Sequence, residues 1–123
     1  MKKVIAIDFD GTIVTEAYPE IGEEIAGAIE GIKRLQGQGL CCILWTCRTD
    51  EHLDAAVSWL ADRGIVMDYV NESNAEAVEY WGTNPRKIAA EIYIDDRSVG
   101  GFVGWETALK EIERYLSSAQ PEE

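Results

Sequence analysis

Basic residues are scarce in this chain. Lys and Arg number 11 against 23 Asp and Glu in 123 residues, which leaves a formal charge of −12 at pH 7. That imbalance works against partners that are themselves polyanions, such as duplex nucleic acid or an anionic membrane surface. It still admits a small phosphorylated ligand, provided that a metal ion sits between the charges. Long apolar runs are missing too. The first, Val4 to Ile7, stops at Asp8, and none elsewhere reaches the length of a signal-peptide core or a membrane helix. The expected location is therefore the cytoplasm, with no membrane partner. Cysteine is limited to Cys41, Cys42 and Cys47, an odd number crowded around one apolar segment. This excludes a disulfide framework and predicts buried thiols in a reducing compartment. The single histidine, His52, stands apart from any Cys-x-x-Cys spacing, which argues against zinc.

What is present is globular in composition, with 46% hydrophobic and 28% charged residues. The length suits one domain and leaves no room for a second core. We expect a single domain over residues 1–118, followed by a disordered tail at 119–123. Strand and helix signals alternate throughout. Lys3–Ile7, Leu40–Trp45, Ile65–Val70 and Glu91–Ile94 read as strands. Ile21, Ile25, Ile29, Ile32 and Leu35 recur at steps of three and four, which predicts a helix from Gly22 to Gln36. Within it, Gly27 and Gly31 would allow a close approach to the sheet. A second helix, capped by Thr49 or Asp50, carries Leu53, Ala56, Val57 and Leu60 and closes at Gly64. Residues 71–86 hold about two helical turns, and Trp105 to Leu116 form a final amphipathic helix. Apolar strands alternating with amphipathic helices predict an α/β domain of three layers, with a mostly parallel sheet covered on both faces.

Such sheets present their ligand sites at the carboxyl ends of the strands. Asp8-Phe9-Asp10-Gly11-Thr12 follows the first strand, Thr46-Cys47-Arg48 the second, and Asp95-Asp96-Arg97 the fourth, with Lys87 upstream. A lone Asp-x-Asp is as often a solvated turn as a site. Two acidic pairs on separate strands are different, because carboxylates brought close together repel and raise one another's pKa unless a cation neutralises them. Oxygen donors without nitrogen or sulfur select a hard cation. Mg²⁺ typically takes one or two carboxylates together with water and a phosphate.

DFDGT after the first strand, Thr46 after the second, Lys87 and then IYIDD resemble the four ordered motifs of the haloacid dehalogenase superfamily. The resemblance runs from Ile5 to about Gly104. EAYPEIG (16–22) and IDDRSVGG (94–101) further resemble a group of short bacterial members. It implies a Rossmann-like fold and a Mg²⁺-dependent phosphohydrolase. Asp8 would be the nucleophile that takes the phosphoryl group, and Asp10 the general acid and base, its backbone carbonyl also on the metal. The Thr46 hydroxyl and Lys87 would hold the transferring phosphoryl. Asp96 would bind the metal directly and Asp95 would stand behind it. Gly11, Cys47 and Arg48 complete the expected substrate-binding set, although an ion pair with a neighbouring acid is an equal expectation for Arg48, as it is for Arg97. Response-regulator receiver domains use similar ingredients, but their acceptor Asp follows the third strand, and here that strand ends in Val70-Asn71.

Neither interval between the motifs can hold a cap domain, so the resemblance is to a capless member. An open site implies a large substrate or a second copy of the chain that closes it. A small phosphorylated metabolite is the preferred substrate class. The alternatives are phosphoprotein, polynucleotide ends (disfavoured by charge), or a non-catalytic phosphate-binding domain. Tyr80 and Trp81 are read as covering a small apolar patch, and His52 as a surface residue. Glu16, Glu20, Glu23 and Glu24 are read as a solvated helix start that favours the helix dipole.

Overall fold

Four strands and four helices alternate along the chain: β1 (Val4–Ile7), α1 (Ala28–Gly37), β2 (Cys41–Leu44), α2 (Asp50–Asp62), β3 (Tyr69–Val70), α3 (Ala75–Trp81), β4 (Ile92–Ile94) and α4 (Trp105–Ser118). The computed structural model describes residues 2–118, and the tail expected at 119–123 lies outside the described residues. The strands form one sheet in the order β3-β2-β1-β4, every pairing parallel. The fold is thus α/β and Rossmann-like. No helix among the described residues is long and apolar enough to cross a membrane.

The strand order explains where the helices lie. From β1 to β2 to β3 the chain steps in one direction, so right-handed crossovers place α1 and α2 on the same face. The step from β3 to β4 reverses and passes over two strands, which sends α3 to the other face. The core divides accordingly. Ile5, Ile7, Cys42 and Leu44 meet Ala28 and Ile32 of α1, Ala56 and Leu60 of α2, and Trp105 and Ile112 of α4. Val4, Ala6, Cys41 and Ile43 point the other way and pack with Ile88. All residues of β1 and β2 are buried, as coverage of both faces requires. Each fully buried Ile or Leu contributes about 1.5–3 kcal/mol through the surface it removes from water.

Two expectations about the first helix are corrected. It begins at Ala28 and not at Gly22, because Gly27 takes a left-handed backbone conformation (φ 87°) that an ongoing helix cannot include. Residues 13–25 instead fold back on themselves as a strap. The Thr15 N–H donates to the Glu23 carbonyl at 2.8 Å, and the Ile25 N–H to that of Ile13 at 2.8 Å. Ile21 and Ile25 do pack against the core, but from this strap. Of the acidic run, Glu24 alone bonds the helix entry, accepting from the Ile29 N–H at 3.4 Å. The Gly27–Gly31 face approaches α4 and not the sheet: a Cβ on Gly31 would lie 2.8 Å from Trp105 Cε3. Thr49 occupies the N-cap of α2, yet its side chain makes no capping bond. Cys41 and Cys42 are buried as expected, whereas Cys47 is exposed, and all three are free thiols.

Candidate active site

Register sets the site. Ile7 pairs with Leu44 on one side and Ile94 on the other, so the residues that follow these three emerge at one level of the sheet's carboxyl edge. The Asp8 N–H donates to the Ile94 carbonyl at 2.9 Å, and the Trp45 N–H to that of Ile7 at 2.8 Å. Beyond the sheet, Gly11 turns the chain in a left-handed conformation (φ 89°) and gives its N–H to the Val14 carbonyl at 2.7 Å. A side chain on Gly11 would overlap the Asp96 carboxylate. The bare glycine is therefore what lets the acidic residues after β4 close on those after β1.

Asp8, Asp95 and Asp96 each present a carboxylate oxygen within 4.8 Å of the other two. Burial, then the charge of Asp95, then Asp96 push the Asp8 carboxyl up to about 8, while the Thr12 hydroxyl opposes the shift. Thr12 Oγ1 donates to Asp8 Oδ2 at 3.1 Å. Asp95 Oδ1 accepts the Arg97 N–H at 2.9 Å. Asp96 Oδ1 is buried and has no hydrogen-bond partner among the described residues. A buried carboxylate oxygen left without a donor carries a desolvation cost that a bound cation would offset. Three converging carboxylates with oxygen donors only, one of them orphaned, fit a hard divalent ion such as Mg²⁺.

A cleft of about 630 Å³ opens beside this triad, lined by Asp8, Asp10, Thr46, Cys47, Asp95 and Arg97 among others. Thr46 is fixed at two points: its N–H donates to Asn71 Oδ1 at 2.8 Å, and its hydroxyl accepts the Arg48 N–H at 3.1 Å. Asn71 holds a left-handed conformation (φ 55°) just past β3, a position that suits its short polar side chain.

Asp10 faces the cleft but its carboxylate stands outside the triad, gripped by Arg48. Nε donates to Oδ2 at 2.7 Å and Nη2 to Oδ1 at 2.8 Å. Nη2 also reaches the Glu20 carbonyl at 2.8 Å, and Nη1 reaches those of Pro19 and His52 at 3.2 and 3.3 Å. All five N–H donors of the guanidinium are thus engaged inside the protein, none left for a substrate phosphate. The ion pair expected as one role for Arg48 exists, but it is buried, with the Arg48 side chain 1% exposed. The Asp10 bonds raise the Arg48 pKa further above its ordinary value.

Lys87 does not join the cleft. Its Nζ stands 5.6 Å from the Tyr93 ring, in a separate groove on the α3 face that Tyr80 and Trp81 also line. Tyr80 and Trp81 are exposed and stack edge to face at 5.0 Å between centroids. His52 meets Tyr18 edge to face at 5.4 Å.

The reading from sequence missed three supports. Thr12 belongs to DFDGT, and that motif is the sequence signal for it. Asn71 carries no signal beyond its place at the end of a strand. Trp105 braces the site from a distance, its Nε1–H donating to the Thr12 carbonyl at 2.8 Å across 93 residues of sequence.

No protein-family model matches the chain, and no curated protein matches it. Among solved structures it is similar to a conserved protein coded by a locus of Bacteroides thetaiotaomicron. The two share 40% identity and superpose with a TM-score of 0.84 over 98% of this chain and 100% of that one. With that identity over the full length of both, the chain belongs to the family of this Bacteroides thetaiotaomicron protein.

Proposed function

We propose that the chain is a Mg²⁺-dependent phosphohydrolase of the haloacid dehalogenase type, working through an aspartyl phosphate at Asp8. The observation that carries this reading is the triad of Asp8, Asp95 and Asp96 at the carboxyl edge of a parallel sheet, with the buried Asp96 Oδ1 unpartnered. Mg²⁺, when bound there, supplies positive charge that draws in the phosphate and favours the ionised form of Asp8.

The remaining roles fall to the chain's own groups. An Asp8 carboxylate oxygen attacks the phosphorus in line, and the bond from phosphorus to the leaving oxygen breaks. Asp10, facing the same cleft, gives a proton to that oxygen and then takes one from the water that hydrolyses the aspartyl phosphate, which restores Asp8. The Thr46 hydroxyl is positioned by Asn71 and the Arg48 N–H to bond a phosphoryl oxygen. Because Lys87 stands over Tyr93, exposed Arg97 is the cleft residue better placed to offset phosphate charge.

The substrate class we propose is a small phosphorylated metabolite. Glu16 also lines the cleft, and its carboxylate repels a polyanion such as a polynucleotide end. The test is phosphate release from a panel of phosphorylated metabolites and an aryl phosphate, with Mg²⁺ and with chelator. Release that needs Mg²⁺ is expected. Release that survives thorough chelation, or none from any substrate, contradicts the proposal.

A further inference from the structure

The Arg48 side chain joins two things that the sequence keeps apart. Its Nε and Nη2 each hold one oxygen of Asp10. Nη2 also donates to the Glu20 carbonyl of the strap and Nη1 to that of Pro19, so one nitrogen bonds Asp10 and the strap at once, while the guanidinium lies 5.0 Å from the Tyr18 ring and 5.3 Å from that of Phe9. Glu16 and Tyr18 of the strap line the cleft together with Asp10. A planar guanidinium with every donor engaged and almost no exposure has one low-energy arrangement, so its two sets of partners are fixed together.

We infer that Arg48 is a positioning residue that couples Asp10 to the strap, aiming the Asp10 carboxyl into the cleft only when residues 16–20 are seated over it. The strap then provides, from within one chain, a cover that an open capless site otherwise lacks. This inference rests on the phosphatase reading for its kinetic half alone; the coupling of Asp10 to the strap stands on geometry. Arg48 acts on the reaction through Asp10 and does not touch the phosphate.

The experiment pairs kinetics with hydrogen exchange on the full chain. For an aryl phosphate with Mg²⁺, Arg48→Ala lowers kcat by about ten- to a hundredfold, a part of the roughly hundred- to ten-thousandfold that acid–base catalysis supplies, and leaves KM within about threefold. Arg48→Lys keeps the charge but cannot fork, and it is expected to stay well below wild type. Because Arg48 works through Asp10, the double variant Asp10→Asn/Arg48→Ala loses no more than Asp10→Asn alone. Exchange at the Thr15, Glu23 and Ile25 amides rises about tenfold in Asp10→Asn as well as in Arg48→Ala, with α4 unchanged.

Additive losses, or full kcat in Arg48→Lys, overturn the positioning role. Strap exchange that rises in Arg48→Ala but not in Asp10→Asn overturns the coupling, since a merely structural arginine would behave that way. Should Arg48→Ala fail to fold, Arg48→Lys and Asp10→Asn carry both readouts. If the wild-type chain releases no phosphate with Mg²⁺, the phosphatase reading fails, and the exchange data alone still decide the coupling.

Discussion

Gly11 and Asp96 occupy the same small volume: any side chain on Gly11 would overlap the Asp96 carboxylate, and the Gly11 backbone is left-handed at φ 89°. Gly11→Ala therefore combines a backbone penalty of about 1–2 kcal/mol with a clash at an acidic residue of the triad. We expect a melting temperature lower by several degrees, and a loss of Mg²⁺-induced stabilisation larger than the fold's own loss. An alanine variant that binds Mg²⁺ like wild type would show that the close approach is not required.

Asp8 makes stability depend on pH in a defined direction. Its carboxyl sits at about 8 in the folded chain and near 3.8 when unperturbed. A raised folded value means that its contribution is fully present below about 4 and is lost progressively as pH rises through about 8. In chelator, Asp8→Asn should thus gain on wild type in thermal stability between pH 5 and pH 8. Mg²⁺ should raise the wild-type melting temperature more at pH 8 than at pH 5, since protons compete for the same oxygens. A difference between variant and wild type that stays constant over this range contradicts the assignment.

The two acids after β4 are not equivalent. Asp95 Oδ1 already accepts the Arg97 N–H, whereas Asp96 Oδ1 is buried without a partner. Asp96→Asn should weaken Mg²⁺ affinity by about tenfold or more in titration calorimetry, and by more than Asp95→Asn. The reverse order would make Asp95 the principal ligand.

The helix pair α1–α4 offers a test of packing against propensity. Alanine at position 31 gains about 1 kcal/mol of helix propensity over glycine. Its Cβ would meet the Trp105 ring at 2.8 Å, and that ring is pinned by its bond to the Thr12 carbonyl. Overpacking costs about 1–3 kcal/mol, so the net effect of Gly31→Ala should be destabilising, read as a lower denaturation midpoint. A neutral or stabilising result would mean that Trp105 moves freely.

How much of this was legible in the sequence differs from element to element. β1, β2 and the acidic pairs after β1 and β4 were readable, because buried parallel strands are continuous apolar runs and Asp8 and Asp95 mark the ends of β1 and β4. The strap was not. Ile21 and Ile25 keep helical spacing while sitting in a folded-back segment, and only the left-handed Gly27 distinguishes the two cases. Arg48 was visible as a charge beside a motif, but its partner lies 38 residues away, and no local rule joins Arg48 to Asp10. Lys87 precedes the acidic pair of β4 in sequence, yet the chain between α3 and β4 carries it to Tyr93 on the other face. Trp105 reads as the first core residue of α4, and its hydrogen bond to Thr12 is a purely tertiary fact.

The central claim, that Asp8 carries the phosphoryl group, is tested most directly by trapping. The wild-type chain is turned over with an aryl phosphate and Mg²⁺, quenched, and treated with borohydride, which reduces an acyl phosphate to the alcohol. Peptide mass mapping is then expected to find homoserine at position 8, with none in Asp8→Asn or in chelator. Reduction at another carboxylate, or phosphate release with no trapped residue at all, would contradict the account.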